Sequence, residues 1–405
     1  MDRVNRLRGL LCSCVVSCFV ALASPGAFAQ KGDTVRPEVG KPLQAAQNFV
    51  KQRRGREALA EVAKAEAVGN RTPYENLLIN EMKGSAATLA GDHDAAIRAF
   101  ETVLSSGRVS GGDATRMVQA IAVAYYQKKD YANASKWTQR YFKDGGTDPQ
   151  MRNMLLQSYY LANDCGSVNR MLAGSEDRRP REEELQILAN CYLREKDNAG
   201  YVGAIEKLVV YYPKAQYWTD LLARVQKKPG FSDRLGVHVY RLRLATGNLA
   251  TANDYMEMAQ LALQQGVPAE AKSVMDKGYE KGVLGKGPEA ERQKRLRDLI
   301  QRSLDESLKS RAKDEKDALA AKDGNDLVKV GLNYVYEGNA AKGVQLIQQG
   351  IRKGGLKRPE DAKLRLGEAQ LHAGHKQQAV ATLRTVQGND GAADIARLWT
   401  LYARA

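Results

Sequence analysis

The sequence predicts an all-α protein, a superhelical solenoid of stacked antiparallel helix pairs. Three observations predict it: a segment of about 34 residues that recurs along the chain, small residues paired across successive amphipathic stretches, and a composition suited to packed helices. The clearest copy has Gly84 in one amphipathic stretch, then a Gly91-Asp92 turn, then Ala96 near the start of the next. Equivalent residues follow at Ala134, Val168 and Tyr201, after 38, 34 and 33 residues. Hydrophobic residues make up 43% of the 405, and there are only 11 prolines. Helix formers recur throughout, as packed helices require.

From the N-terminus, Arg3, Arg6 and Arg8 precede an apolar run over residues 9–23, and Ala27-Phe28-Ala29 follows. That order is a secretory signal peptide with a small-residue cleavage site, so residues 1–29 are expected to be removed and the product to be periplasmic or secreted. An apolar run of about 15 residues falls short of the roughly 20 that span a bilayer, so no transmembrane anchor is expected in the processed chain. Val15-Val16-Ser17-Cys18 loosely resembles a lipoprotein box, which leaves acylation of Cys18 as the alternative.

Residues 30–41 read as a flexible lead-in and residues 42–405 as one repeat array of about nine to ten repeats, with a capping helix near 391–404. Small residues let paired helices approach: Gly84 with Ala96, Ala122 with Ala134, Ala259 with Ala271, Gly367 with Ala379, and Gly331 with Gly343. Large residues such as Phe100, Trp137 and Leu383 fill the space between. The core is therefore expected to run as a strip with neighbour-to-neighbour contacts instead of one central nucleus. Gly91, Gly145, Gly247, Gly266, Gly338 and Gly374 read as helix C-caps. Residues 207–212 have strand propensity, but their place before Pro213 favours a helix end. The segment 216–247 lacks a clear small-residue pair. The segment 287–324 is strongly charged, yet Leu296, Leu299, Ile300, Leu304 and Leu308 keep a three-four spacing that predicts an amphipathic helix. Ala271 lies 70 residues past Tyr201, and Gly343 lies 72 past Ala271, room for one extra repeat each time.

These residues resemble the tetratricopeptide repeat, whose first helix carries a small residue at its eighth position and whose second opens on Ala about twelve residues later. The resemblance implies an inner surface lined by first helices. Carried over residue by residue, its partner-facing positions here are Gln119, Tyr126, Asn153, Tyr160, Gln186, Asn190 and Gln260. Gln186 stands where the chaperone-binding subclass has its first clamp lysine, which departs from that role. A narrower resemblance covers mainly residues 200–285: Tyr211-Tyr212-Pro213-Lys214, Tyr217-Trp218, Met258-Ala259-Gln260-Leu261 and Gly266-Val267-Pro268-Ala269-Glu270-Ala271 are similar to bacterial repeat proteins associated with TonB energy-transduction systems. It implies a periplasmic adaptor with protein partners in the cell envelope.

The formal net charge is +15; without residues 1–29, which hold Asp2 against three arginines, it is +13. Such an excess favours acidic partners, an acidic polymer or an anionic surface, or is simply solvated. A secreted chain without a recognised nucleic-acid motif is expected to bind no nucleic acid. Arg292, Arg295 and Arg297 form a candidate basic docking face, and the alternative function is a cell-wall or polysaccharide-binding protein that uses it. Of five cysteines, Cys165 and Cys191 survive processing; an oxidising compartment permits a bridge between them, and two partly buried thiols are the alternative.

Catalytic signatures are missing from the sequence. His372 and His375 stand three apart without further metal ligands, and Gly285-Lys286 lacks both the hydroxyl residue and the preceding glycine of a phosphate loop. The chain is expected to be a non-enzyme with no cofactor and no metal.

Overall fold

The computed structural model describes residues 33–173 and 179–405, so residues 1–29, expected to be a signal peptide, lie outside the described residues. The chain divides into two compact units, Met1–Ser175 and Glu176–Ala405. In the first, the helices are α1 (Pro37–Lys51), α2 (Gly55–Glu66), α3 (Pro73–Ala90), α4 (His93–Ser105), α5 (Gly111–Gln127), α6 (Tyr131–Lys143), α7 (Pro149–Leu161) and α8 (Cys165–Ala173). In the second they are α9 (Glu182–Arg194), α10 (Asn198–Tyr211), α11 (Ala215–Gln226), α12 (Gly236–Ala245), α13 (Ala252–Gln264), α14 (Pro268–Glu280), α15 (Ala290–Ala320), α16 (Asn325–Tyr336), α17 (Ala340–Lys353), α18 (Pro359–His372), α19 (Lys376–Leu383) and α20 (Ala392–Arg404). The fold is all-α, and successive helices pack as adjacent pairs. Helix α1 begins at Pro37, inside the stretch expected to be a flexible lead-in.

One turn makes the pairs. The chain leaves a first helix through a left-handed residue at Gly91, Lys129, Asn163, Lys196, Gly266, Gly338 and Gly374. At Asp92, Asp130 and Asp197 the next residue caps the second helix, its carboxylate accepting the N–H of Ala95, Asn133 and Gly200 at 3.0, 3.1 and 2.9 Å. The N–H of that same aspartate closes back on the first helix, from Asp92 to Ala87, Asp130 to Tyr125 and Asp197 to Tyr192. End and start therefore satisfy each other's orphan backbone groups. Each left-handed residue lies five before a residue of the sequence register, Ala96, Ala134, Val168, Tyr201, Ala271, Gly343 and Ala379.

Close approach holds the pairs. A Cβ on Gly84 would meet the Phe100 ring at 2.5 Å, and one on Gly331 or Gly343 would meet the other's carbonyl oxygen at 2.7 or 2.5 Å. First helices also bury a carboxylate at their third position: Glu75, Glu184, Asp254 and Asp361. Each is ion-paired to an arginine, Arg36, Arg181, Arg243 and Arg234 in turn. A buried charge needs such a partner.

Two expectations are corrected. Between α14 and α16 there is no helix pair: α15 is one helix of 31 residues. Nothing in that span reverses the chain, because residues 289–323 contain neither Gly nor Pro. Its apolar stripe is also only partly covered. Leu296 and Ile300 are buried, whereas Leu299 and Leu308 are 45% and 50% exposed, since α15 lies against α13, α14 and α16 on one side. Further along, the core of the second unit is not a strip. Helix α20 packs on α10, α12, α18 and α19, and Leu208, Trp218 and Val239 share one cluster with Leu364, Ile395 and Trp399. Residues 216–247 form α11 and α12 as spacing implied, and α10 is helical up to Tyr211 just before Pro213.

Candidate functional site

In the first unit, side chains nominated on α5 and α7 stand on neighbouring first helices. The Tyr126 hydroxyl donates to Gln157 Oε1 at 2.8 Å, and Gln119 Nε2 donates to Asp148 Oδ2 at 3.4 Å. Tyr126 also meets the Tyr131 ring edge-on, with centroids 5.4 Å apart. Asn153 and Tyr160, on α7, are half-buried. The result is a surface of aromatic rings and amides whose polar atoms already bridge consecutive repeats. A peptide backbone can compete for such groups without strong sequence demands.

The second unit repeats the device between α9 and α11. Gln186 Nε2 donates to the Tyr217 hydroxyl, and Tyr217 also donates to Glu182, which pairs with Lys214. Burial pushes the Tyr217 hydroxyl up, and the hydrogen bond to Glu182 adds to that, so it remains a donor at neutral pH. Asn190 is exposed. On α13, Asn253, Glu257, Gln260 and Gln264 recur at the spacing of one helix face and line a depression of about 510 Å3. Across it stands Arg292 of α15, so two residues nominated for different reasons meet at one site.

The basic candidates do not share a face. Arg292 and Arg297 are five residues apart, about 140° around a helix. Arg292 pairs with Glu289 at 3.3 Å beside the α13 depression. Arg297 pairs with Asp276 at 3.2 Å, lies over the Tyr279 ring at 4.7 Å and lines a separate depression of about 500 Å3. Arg295 is exposed, with no ion pair among the described residues. Cys165 opens α8 and Cys191 lies within α9, and both are buried.

Sequence reasoning missed a buried charged network in the second unit. Arg241 on α12 donates to both oxygens of Glu270 on α14 at 2.6 Å and to Glu368 Oε2 on α18 at 2.8 Å. Glu368 Oε1 accepts from Trp399 Nε1 at 2.9 Å and lies 2.7 Å from His238 Nδ1. Burial by itself would raise the Glu368 carboxyl, but His238 and Arg241 outweigh it and hold it below the usual range. The partners are 29 and 127 residues apart, beyond any local pattern. These groups are spent on one another, so the network fastens helices and offers nothing to a substrate. Among the described residues no group of three His, Cys, Asp or Glu could hold a metal ion. His372 instead packs edge-on against the Tyr336 ring at 5.2 Å. No described helix is long and apolar enough to cross a membrane.

Comparison with known proteins bears on the helix pairs. A tetratricopeptide repeat family model matches residues 43–113 and 82–149, and a second tetratricopeptide repeat model matches residues 361–390. The chain thus carries tetratricopeptide repeats over those stretches, a repeat that in general suggests a scaffold for protein–protein interaction. No curated protein matches it. Among solved structures, that of yeast Tom70 is 10% identical, covering 90% of this chain and 95% of that one, with a TM-score of 0.25. A structure of Naa15/Naa10 bound to HypK-THB is 14% identical, covering 88% of this chain and 70% of that one, with a TM-score of 0.26. Those scores are too low to relate either molecule's partners to this chain.

Proposed function

We propose that this protein is a non-catalytic adaptor of the bacterial cell envelope, exported to the periplasm, where its repeats hold a protein partner in a TonB-linked uptake complex. The observation that carries the adaptor role is that each unit by itself carries amide and tyrosine side chains on its first helices: Gln119 and Tyr126 on α5 in the first, and Gln186 on α9 and Gln260 on α13 in the second. Export is supported by the basic start, short apolar run and Ala27-Phe28-Ala29, and the TonB link by the resemblance over residues 200–285.

The test is an affinity capture from envelope extract. Replacing Tyr126 and Tyr160 with Ala is expected to keep the helical content and deplete the captured partner, because central interface aromatics often contribute more than about 1 kcal/mol each. Recovery of TonB-system components by the unaltered chain supports the finer reading, and their absence from an otherwise specific capture sinks it. The second reading, binding of an acidic polymer, rests on the exposed Arg295 and the +15 charge. It requires that Arg292→Glu, Arg295→Glu and Arg297→Glu abolish capture while the tyrosine variants do little, with steep loss at high salt.

A further inference from the structure

Buried carboxylates of this chain come with a cation. Glu75, Glu184, Asp254 and Asp361 each hold an arginine, and Glu270 and Glu368 share Arg241. Glu81 on α3 departs from that rule. It is half-buried, yet its carboxylate makes no ion pair and accepts no hydrogen bond among the described residues. Burial raises its carboxyl, and no neighbouring charge offsets that. Cations close along the chain are committed elsewhere: Lys83 pairs with Glu66 at 2.7 Å, and Arg116, one turn before Gln119 on α5, pairs with Asp113. Ser85, one turn on from Glu81, donates its hydroxyl to the Glu81 main-chain carbonyl at 3.0 Å instead of to the carboxylate. A carboxylate in that state is unfavourable, and a cation supplied from outside removes the cost.

Where Glu81 stands is a second observation, independent of its charge. Gln119 lies 38 residues further and Asn153 lies 34 beyond that, the intervals that separate Ala96, Ala134 and Val168. Glu81 is therefore the α3 member of the row that Gln119 continues on α5 and Asn153 on α7, all within the first unit. Leu78 and Thr88, three residues before and seven after it, fall on the same side of α3, the first half-buried and the second exposed, so that side is open to solvent. Tyr126, Gln157 and Tyr160, which share the face with the row, carry no charge at neutral pH. A segment laid across the row meets neutral amides on α5 and α7, and on α3 a carboxylate that lacks a cation.

We propose that Glu81 makes this face selective for an extended partner segment that carries a lysine or arginine, whose side-chain N–H groups bind the Glu81 carboxylate while Gln119 and Asn153 bond the segment's backbone. The proposal rests on the adaptor reading of this face and adds which segments the face prefers.

The test is retention of peptides from a random library of acetylated nonapeptides by the immobilised full chain. Lysine or arginine is expected to be enriched about tenfold over glutamine at one position of the retained set. Acetylation confines that preference to side chains, since no terminal amine is present. Glu81→Gln should abolish the enrichment and Glu81→Lys should replace it with aspartate or glutamate, whereas Glu38→Gln, on the exposed start of α1, should leave it unchanged. Retention that depends on Tyr126 and Tyr160 but shows no basic preference, or a basic preference that survives Glu81→Gln, overturns the proposal and leaves the adaptor face standing. Retention indifferent to Tyr126→Ala and Tyr160→Ala, or no retention at all, overturns the adaptor face and the proposal with it.

Discussion

Arg241 and Glu270 face each other wholly inside the second unit, joined by two parallel hydrogen bonds of 2.6 Å, with Glu368 completing the arginine's contacts at 2.8 Å. Through these three residues α12, α14 and α18 are tied, and Trp399 adds α20. Burying charge is unfavourable unless every charge is matched, so the arrangement is stable as a whole and fragile in its parts.

Arg241→Met keeps much of the side-chain volume and leaves Glu270 and Glu368 buried without their cation. The expected loss is on the order of 3 to 5 kcal/mol, read from urea denaturation. A loss below about 1 kcal/mol would mean that water reaches the site and solvates the carboxylates.

Ala122 is fully buried against a cluster that includes Tyr141, Met151 and Met154. Ala122→Leu should overpack that contact and cost about 1 to 3 kcal/mol. Lys136→Leu, on the exposed side of α6, is expected to change stability by less than about 0.5 kcal/mol. Matching melting curves for the two variants would refute the assignment of Ala122 to the helix–helix contact.

Glu75 sets an acid limit on the first unit. Its carboxyl is held down from 4.5 to about 2, mainly by the Arg36 side chain and then by the Thr72 N–H. Those bonds measure 2.9 Å from Arg36 Nε, 2.8 Å from Arg36 Nη2 and 2.9 Å from the Thr72 N–H. Because the folded value is the lower one, this contribution is present above pH 4.5 and fades as pH falls toward 2. Glu75→Gln should lower the melting temperature at neutral pH and flatten its decline over that window. An unchanged slope would assign the acid sensitivity to other carboxylates.

Export and oxidation are tested on one sample. N-terminal sequencing of the exported protein is expected to begin at Gln30, and intact mass is expected to fall short of the dithiol form by two hydrogens, for a bridge between Cys165 and Cys191. Recovery in detergent alone with acylated Cys18 would replace the first expectation, and two thiols that react with a blocking reagent after unfolding would replace the second.

By itself the sequence determined what is local. Gly91-Asp92 and Lys129-Asp130 specify a left-handed turn and its cap within two residues, and Gly84 opposite Phe100 or Gly331 opposite Gly343 specify close approach within one helix pair. A repeat encodes the same short-range contacts again and again, so the all-α pairing was legible from spacing. The first-helix face followed from the same register, which is why Tyr126 and Gln186 fall between neighbouring repeats. Tertiary structure decided what depends on distant partners. Arg241 finds Glu368 across 127 residues, and α20 returns to α10 and α12, because closing the second unit buries apolar surface that no adjacent repeat covers. The single length of α15 was written in the lack of Gly or Pro over residues 289–323. Which of its leucines are covered was not, since Leu296 and Ile300 are buried and Leu299 and Leu308 left exposed only once α13, α14 and α16 lie against it.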